Sequence, residues 1–332
     1  MTYYLGFDGG GTKTESALLD ASGKLIARGQ GGPSNAVRAG FEQAFAGLNE
    51  AANSALYSAK VEPRQIHGVC AGLAGAGRPR VVKRMMAFLV ETFPEADVHV
   101  TTDFEIALET AVGEAPGVVL IAGTGSSAYG RNAAGHKLRA GGQGPWIGDE
   151  GSAFDIGRRA VAAVAHARDA LEPVTLLAEL IPNALQCPSW DILIETISKG
   201  PDQVFPRIFP LVLEAAEAND APARDILLHA ALSLSRIAGS VVRGLGLSGE
   251  EFVLAKCGGV FGHSEIFESA LDTLLASIAP RAQISLLLEP PALGAARTAI
   301  RLFPVPSGVE GPDSGLSEDS AAKAEAVHGG KG

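Results

Sequence analysis

The N-terminal stretch YYLGFDGGGTKTE, from Tyr3 to Glu15, is an apolar run that ends on an aspartate, three glycines and Thr-Lys-Thr. A buried strand that stops at a carboxylate and turns on glycine exposes backbone N–H groups and a charge that attracts metal ions at one edge of a sheet. The stretch therefore predicts a hairpin that handles phosphate. A plain glycine-rich hairpin is the alternative for this segment taken alone.

The spacing of this motif differs from that of a P-loop. A P-loop requires Gly, four residues and then Gly-Lys-Ser/Thr at the start of a helix, whereas Thr12 here separates Gly11 from Lys13. The residues that follow, ESALLDASGKLIARG, alternate apolar and polar across a Ser-Gly turn. This alternation predicts a second and a third strand, so the glycine loop is expected to join two strands.

The bulk composition predicts a globular, cytoplasmic protein. The chain has 332 residues, of which 46% are hydrophobic, and is long enough to bury two cores. A net charge of −10 without a dense Lys/Arg run argues against nucleic acid as a partner. No apolar run approaches the roughly 20 residues of a membrane span, and we expect no membrane association. The three cysteines are scattered without a CxxC pair, and they predict neither a disulfide framework nor a structural zinc.

The chain consists of two stretches that repeat one pattern. Before residue 113, strands alternate with helices predicted over 41–59 and 79–92. After the break GEAPG, the segment VVLIAGTGSSAYGRNAAGHKLRAGG repeats the opening, with an apolar strand, a glycine turn, a second strand and a hairpin. The Ala- and Leu-rich region 152–247 then predicts several helices.

This repetition predicts the domain organisation. We expect a first lobe over residues 1–113, completed by a helix at about 291–303 that begins with proline. The second lobe covers residues 114–290 and includes the helical insertion. Residues 304–332 have few apolar anchors and are expected to be a disordered tail.

Three glycine-rich turns follow apolar strands in both halves: FDGGGTKT at Phe7 to Thr14, IAGTGSS at Ile121 to Ser127, and KCGGVFG at Lys256 to Gly262. One such turn is weak evidence. Three turns spread over both halves indicate a nucleotide held between two lobes.

With these turns and four further motifs, the chain resembles the sugar kinase, heat-shock cognate and actin superfamily. Within it, the chain is most similar to the N-acetylglucosamine kinase and BadF-type ATPase family. The motifs that carry the resemblance are DGGGTKT, GPSNA at Gly32 to Ala36, TTD at Thr101 to Asp103, GTGS at Gly123 to Ser126, GDEGS at Gly148 to Ser152, GGVFG, and PALGAA at Pro291 to Ala296. The resemblance covers nearly everything before the tail. It implies an α/β, two-lobed actin-like ATPase (ribonuclease H-like) fold with duplicated lobes and a central cleft.

The resemblance also implies binding roles for the glycine turns, with ATP and Mg²⁺ as cofactors. Asp8 would belong to the Mg²⁺ shell, directly or through water. Two turns would hold the phosphate chain from opposite sides, and the third would approach the adenosine. The residues of the first turn are Gly10, Gly11, Thr12 and Lys13, and those of the second are Gly123, Thr124, Gly125 and Ser126. The third turn contributes Gly258 and Gly259.

Asp103, at the end of DVHVTTD, falls at the family's position for the catalytic base, where a carboxylate accepts the proton of the attacking sugar hydroxyl. Its alternative role is to cap the helix predicted from Phe104. The sugar-binding residues implied with it are Asn35, Thr124, Gln143, Asp149 and Glu150. Turn chemistry is the alternative for Asn35, and for Asp149 with Glu150 it is the first turn of a helix through Ala153. Gln143 lies in GGQG where the family often has GGWG, and it could hydrogen-bond an acetamido group or face solvent.

The function that the resemblance implies is an ATP-dependent kinase that phosphorylates N-acetylglucosamine at the 6-hydroxyl, acting as a homodimer. Glucosamine and N-acetylmuramate kinases are the alternatives of the same class. An ATPase that activates a radical dehydratase through a shared iron–sulfur cluster is a different class, and it requires well-placed cysteine ligands. Cys70, Cys187 and Cys257 lie far apart in the sequence. A nucleotide-driven chaperone or filament protein is a third possibility, for which the chain shows no separate substrate-binding domain.

Overall fold

The computed structural model describes residues 2–305 and contains two five-stranded mixed sheets. In the first sheet the strand order is β3-β2-β1-β4-β5, and in the second it is β8-β7-β6-β9-β10. The strands of the first sheet are β1 Tyr3–Gly9, β2 Thr14–Asp20, β3 Leu25–Gly31, β4 Ile66–Leu73 and β5 Asp97–Thr101. Those of the second sheet are β6 Gly117–Ala122, β7 Ser126–Arg131, β8 Lys137–Gly141, β9 Val253–Cys257 and β10 Gln283–Leu286.

The two sheets have the same topology as well as the same strand number. In the first sheet β1 pairs antiparallel with β2 and parallel with β4, while β2–β3 is antiparallel and β4–β5 parallel. The second sheet repeats these four relations. Strand β6 pairs antiparallel with β7 and parallel with β9, while β7–β8 is antiparallel and β9–β10 parallel. The predicted duplication of an α/β unit is therefore confirmed, as is the hairpin after β1.

Eleven α-helices connect and cover the sheets within residues 2–305. Those of the first half are α1 Ala36–Ala39, α2 Phe41–Ala59, α3 Pro79–Thr92 and α4 Asp103–Val112. The others are α5 Ala153–Arg168, α6 Leu177–Ala184, α7 Trp190–Lys199, α8 Pro201–Glu217, α9 Ala221–Gly244, α10 Glu265–Ile278 and α11 Pro291–Leu302. The helices predicted over 41–59 and 79–92 and the helical region after residue 152 are confirmed.

Each sheet has its own apolar core on its outer face. Leu5 and Phe7 of β1 pack in a buried cluster with Leu48 of α2 and Met85 of α3. Strands of the second sheet pack in a larger cluster with α5, α8, α9 and α10. Helix α9 is long and apolar enough to span a membrane, but 61% of its apolar window is buried inside the protein. It therefore packs as a core helix.

Helices α4 and α11 lie on the inner faces of the sheets. Ile106 of α4 packs with Ala295 of α11 and Tyr4 of the first sheet, whereas Leu108 packs with Val119 of the second sheet. Small residues allow this close packing: a Cβ at Gly294 would lie 2.0 Å from Thr110 Oγ1. Helix α4 thus contacts both sheets. The tail predicted over 304–332 lies outside the described residues from 306 onward.

Candidate active site

The carboxyl ends of β1, β4 and β5 place two acidic residues at one edge of the first sheet. The strand register aligns Asp8 with Gly72 and Gly72 with Thr101. Asp103 follows two residues later as the first residue of α4. The sequence-predicted metal and base residues are therefore brought together.

The corresponding edge of the second sheet faces these carboxylates. Cys257, the last residue of β9, pairs with Ile121 near the end of β6. Burial, together with the negative charges of Asp8 and Asp103, raises the pKa of Cys257 to about 12. These charges act on Cys257, so the end of β9 lies near the two carboxylates.

The electrostatics of Asp8 indicate a place for a cation. Burial, together with the charges of Asp103 and Glu15, raises the pKa of Asp8 to about 7 against the opposing charge of Lys13. A cation between these carboxylates would relieve their repulsion. The described residues contain no group of three or more His, Cys, Asp or Glu side chains arranged for a metal. The two carboxylates of Asp8 and Asp103 nevertheless fit Mg²⁺, because this ion is commonly held by one or two carboxylates together with waters and substrate phosphates.

Asp103 is not the cap of its helix. The N-cap of α4 is Thr102, whose Oγ1 accepts a hydrogen bond from Glu105 N at 3.4 Å. The capping alternative for Asp103 is therefore wrong. Burial raises the pKa of Asp103, while the N–H groups of Phe104 and Asp103 itself and the charge of Arg139 lower it.

The first glycine turn, residues 10–13, closes the β1–β2 hairpin and remains open to solvent. Gly10 N donates to Lys13 O at 3.0 Å, and Gly10 O accepts from the backbone N–H groups of Ser34 and Asn35, both at 3.1 Å. Gly11 and Thr12 are exposed, and Lys13 forms an ion pair with Glu15. The GPSNA motif is thereby fixed beside the turn.

The second glycine turn, residues 123–126, follows β6 and is joined to the GDEGS motif. Gly123 N donates to Gly125 O at 2.9 Å, and Ser126 Oγ donates to Glu150 O at 2.7 Å. Ser126 N donates to Asp149 Oδ1 at 3.4 Å. A Cβ at Gly125 would lie 2.8 Å from Asp149 Oδ2, so the carboxylate occupies the space that glycine leaves.

The third glycine turn, after β9, packs against the second. Gly258 has a φ of +117°, and a Cβ there would lie 2.3 Å from Ala122 O. Val260 N donates to the same carbonyl at 3.1 Å. Gly259 has open space where a Cβ would be. Gly258 therefore serves backbone packing, and Gly259 faces the free space.

The predicted sugar-binding residues lie beside both turns. Asn35 is the N-cap of α1, and its Oδ1 accepts from Val37 N at 3.1 Å. Thr124 is partly exposed within the second turn, and Gln143 and Glu150 are exposed. Asp149 is buried with a φ of +60°, and burial raises its pKa.

The helix-turn alternative for Asp149 and Glu150 is wrong. Helix α5 begins at Ala153, and its N-cap is Ser152. Both acidic residues therefore belong to the loop before the helix, where Asp149 contacts the second glycine turn.

Sequence reasoning missed two charged residues of the site. Asp155 is buried and accepts from Gly151 N at 3.1 Å, and it pairs with Arg158 and Arg159 at 2.9 Å each. Although burial raises it, the Gly151 N–H and the two guanidinium groups hold the pKa of Asp155 below its usual range. The sequence signal that could have found Asp155 is an acid in the first turn of a helix with arginines three and four residues later. The second missed residue is Arg38, which lies over the first turn.

A separate cavity of about 140 Å³ lies beside α4, between β5, β7 and α11. Its walls are linked by ion pairs: Glu105 with Lys137 at 2.9 Å, and Glu109 with Arg131 at 3.0 Å and Arg301 at 2.7 Å. Tyr129 Oη also donates to Glu105 Oε1 at 3.0 Å. We call these residues the α4 joint. Its charges are paired with one another, which is typical of a structural contact between the halves.

Duplicated five-stranded sheets, with acidic residues and glycine turns on facing edges, define an actin-like ATPase fold. A family model describes the chain more closely: residues 5–299 match the BadF/BadG/BcrA/BcrD ATPase family, to which the chain belongs.

Similar proteins agree with this membership. An N-acetyl-D-glucosamine kinase from Dictyostelium discoideum is 30% identical over 310 residues, which cover 90% of this chain and 97% of that protein. An N-acetylmuramic acid/N-acetylglucosamine kinase from Clostridium acetobutylicum is 29% identical, with 89% and 97% covered. A crystal structure of a candidate N-acetylglucosamine kinase from Chromobacterium violaceum superposes with a TM-score of 0.71 at 25% identity and covers 90% of this chain and 98% of that one.

Proposed function

We propose that the protein transfers the γ-phosphoryl group of ATP to the 6-hydroxyl of N-acetylglucosamine, with Asp103 as the general base. Its family and its relatives identify it more broadly as an ATP-dependent sugar kinase that acts on amino sugars. The observation that carries the finer proposal is the meeting of Asp103 and Asp8 at one sheet edge, opposite the second sheet.

Asp103 suits the role of base because it lies near Asp8, where β1, β4 and β5 end, and because it is not the N-cap of α4. A carboxylate whose pKa is raised by burial accepts a proton from a hydroxyl more readily than an ordinary aspartate does. Phosphoryl transfer has a loose transition state, so the protein contributes mainly alignment and charge neutralisation.

The glycine turns supply the proposed nucleotide site. The exposed turn 10–13 offers backbone N–H groups to the terminal phosphates, and the turn 123–126 approaches them from the second sheet. Gly259 leaves open space for adenosine. Asp8 would hold Mg²⁺, directly or through water, and the ion would neutralise charge on the phosphates.

The amino sugar is proposed to lie between Asn35, Thr124 and the GDEGS loop. Asp149 is the strongest of these candidates, because a buried carboxylate beside the second turn can accept hydrogen bonds from sugar hydroxyls. Gln143 and Glu150 are exposed at the rim and would contact the C2 substituent or the anomeric side.

N-acetylmuramate is the second candidate substrate, because one relative is named for both N-acetylmuramic acid and N-acetylglucosamine. The dehydratase-activator alternative finds little support among the described residues. Cys70 and Cys187 are buried, and burial raises the pKa of Cys70 to about 12, which disfavours the thiolate that binds iron.

The deciding experiment is a sugar panel with coupled detection of ADP. It compares N-acetylglucosamine, glucosamine, N-acetylmannosamine, N-acetylmuramate and glucose at matched concentrations with ATP and Mg²⁺, and assigns the product by ³¹P–¹H NMR. We expect the highest kcat/KM for N-acetylglucosamine and a 6-phosphate product. A higher kcat/KM for another sugar, or phosphate on another oxygen, would contradict the proposal. Light scattering of the same sample checks the expected homodimer.

A further inference from the structure

Arg38, in the short helix α1, lies directly over the exposed first glycine turn. Its Nη1 and Cδ atoms lie 3.4 Å and 3.6 Å from the position that a Cβ at Gly11 would take. The guanidinium group is thus within contact range of whatever binds to the N–H groups of this turn.

The other side of the same guanidinium group reaches the second half of the protein. Arg38 Nη2 lies 3.3 Å from Asp202 Oδ2, in the first turn of α8. The two side chains are 36% and 50% exposed, and an ion pair so exposed contributes little to stability. Another anion that offers two oxygens could therefore replace Asp202 at small cost.

Arg38 also lies near the buried carboxylate of the GDEGS loop. Burial raises the pKa of Asp149, and the positive charge of Arg38 counteracts this rise. Arg38 therefore stands between the turn at Gly11 and the side of the cleft that holds Asp149. Both segments belong to the proposed nucleotide and sugar sites.

A triphosphate in this cleft requires positive charge, and Lys13 and Arg139 are cations near the proposed site besides Arg38. Lys13 is mostly exposed and pairs with Glu15, while the charge of Arg139 acts on Asp103. The chain as a whole carries a net charge of −10. A guanidinium group can bind a phosphoryl group through two parallel hydrogen bonds, which a lysine cannot do.

We propose that Arg38 exchanges Asp202 for the γ-phosphoryl group of ATP and stabilises the charge that develops during transfer. The inference rests on the proposed phosphoryl transfer. The competing interpretation is that Arg38 and Asp202 only clasp the two halves together.

Steady-state kinetics separate these two interpretations. Arg38→Gln should lower kcat about 10²-fold, because a positioned donor to a developing oxyanion contributes on this order, and Arg38→Lys should recover part of the loss. The KM for the sugar should stay within about threefold. Asp202→Asn, which removes only the competing carboxylate, should not lower kcat. Equal losses in Arg38→Gln and Asp202→Asn, without a further loss in the double variant, would establish a clasp and overturn the proposal. Arg64→Gln, at an exposed arginine paired with Glu62, is the matched control.

Nucleotide binding tests Arg38 even if the protein phosphorylates no amino sugar. Calorimetry compares ADP with the non-hydrolysable ATP analogue AMPPNP, both with Mg²⁺. Arg38→Gln should weaken AMPPNP binding about tenfold, the loss of one charged hydrogen-bond partner, and ADP binding less than about twofold. Equal weakening of both, or of neither, would refute a contact with the γ-phosphoryl group. If no sugar of the panel is phosphorylated but Arg38→Gln still weakens AMPPNP binding more than ADP binding, the proposed acceptor is refuted and the role of Arg38 is not.

Discussion

The glycine turns after β1 and after β6 occupy equivalent positions in the two sheets but are held differently. The turn at residues 10–13 is exposed and is joined to its surroundings by backbone hydrogen bonds from Ser34 and Asn35. The turn at residues 123–126 packs against the buried carboxylate of Asp149. A duplicated topology has thus produced one open turn and one locked turn. The open half supplies Asp8 and Asp103, and the locked half supplies a rigid wall opposite them.

The largest effect should come from the reacting edge of the first sheet. Asp103→Asn removes the proposed base without changing the shape of the site, and it should lower kcat by about 10²- to 10⁴-fold while ATP affinity changes little. Stopped assays of sugar phosphate and equilibrium binding of AMPPNP measure the two quantities. The control Asp97→Asn, at an exposed residue of the neighbouring β5, should retain full turnover. An unchanged kcat in Asp103→Asn would show that Asp103 is not the base and that the first half does not differ from the second in this way.

Alanine in each turn tests the contrast between the locked and the open turn directly. Gly125→Ala forces a methyl group to within 2.8 Å of Asp149 Oδ2 and should lower the free energy of unfolding by about 1 to 3 kcal/mol. At Gly10 the nearest atom to an added Cβ is 3.5 Å away, so Gly10→Ala should leave stability within about 0.5 kcal/mol. Urea unfolding compares the two variants. Equal destabilisation would mean that the two turns are equally constrained.

Asp155 tests what locks the second half. Asp155→Asn weakens the bonds to Gly151 N, Arg158 and Arg159 and should cost about 1 to 2 kcal/mol at pH 7. The pKa of Asp155 is lower in the folded than in the unfolded protein. Its contribution to the free energy of unfolding is therefore fully present above the unfolded pKa of about 3.9 and is lost as the pH falls through the folded pKa. Wild type and variant should therefore converge in acid in thermal unfolding at several pH values. Asp191→Asn, an exposed acid in the first turn of α7, should show no such dependence; a constant gap would contradict the assignment.

The smallest effect is expected where the two halves meet at the α4 joint. Tyr129→Phe removes the hydrogen bond to Glu105 and should cost about 0.5 to 1.5 kcal/mol. Chemical unfolding measures it against Tyr57→Phe, at a tyrosine that is 89% exposed. An effect as small as that of Tyr57→Phe would show that this bond does not hold the halves together.

Local patterns in the sequence predicted the strands, the helices at 41–59 and 79–92, and the glycine turns, because these follow from periodicity and turn chemistry. The roles expected for Asp8 and Asp103 came from the family resemblance, and the structure brings the two residues together because parallel strands end at the same edge. The position of Arg38 could not be predicted, since its partners Gly11 and Asp202 are set by the packing of distant segments. The alternative that placed Asp149 and Glu150 in the first turn of a helix was wrong, because Ser152 is the N-cap of α5.

The α4 joint has a consequence for how such a protein can be tuned. Its carboxylates are on the helix that begins with Asp103, and their partners Tyr129, Lys137 and Arg131 are on the opposite sheet. Any rotation of one half against the other would therefore act on the helix that begins with Asp103, the proposed base. We expect substitutions at these paired charges to change how α4 is held between the two sheets.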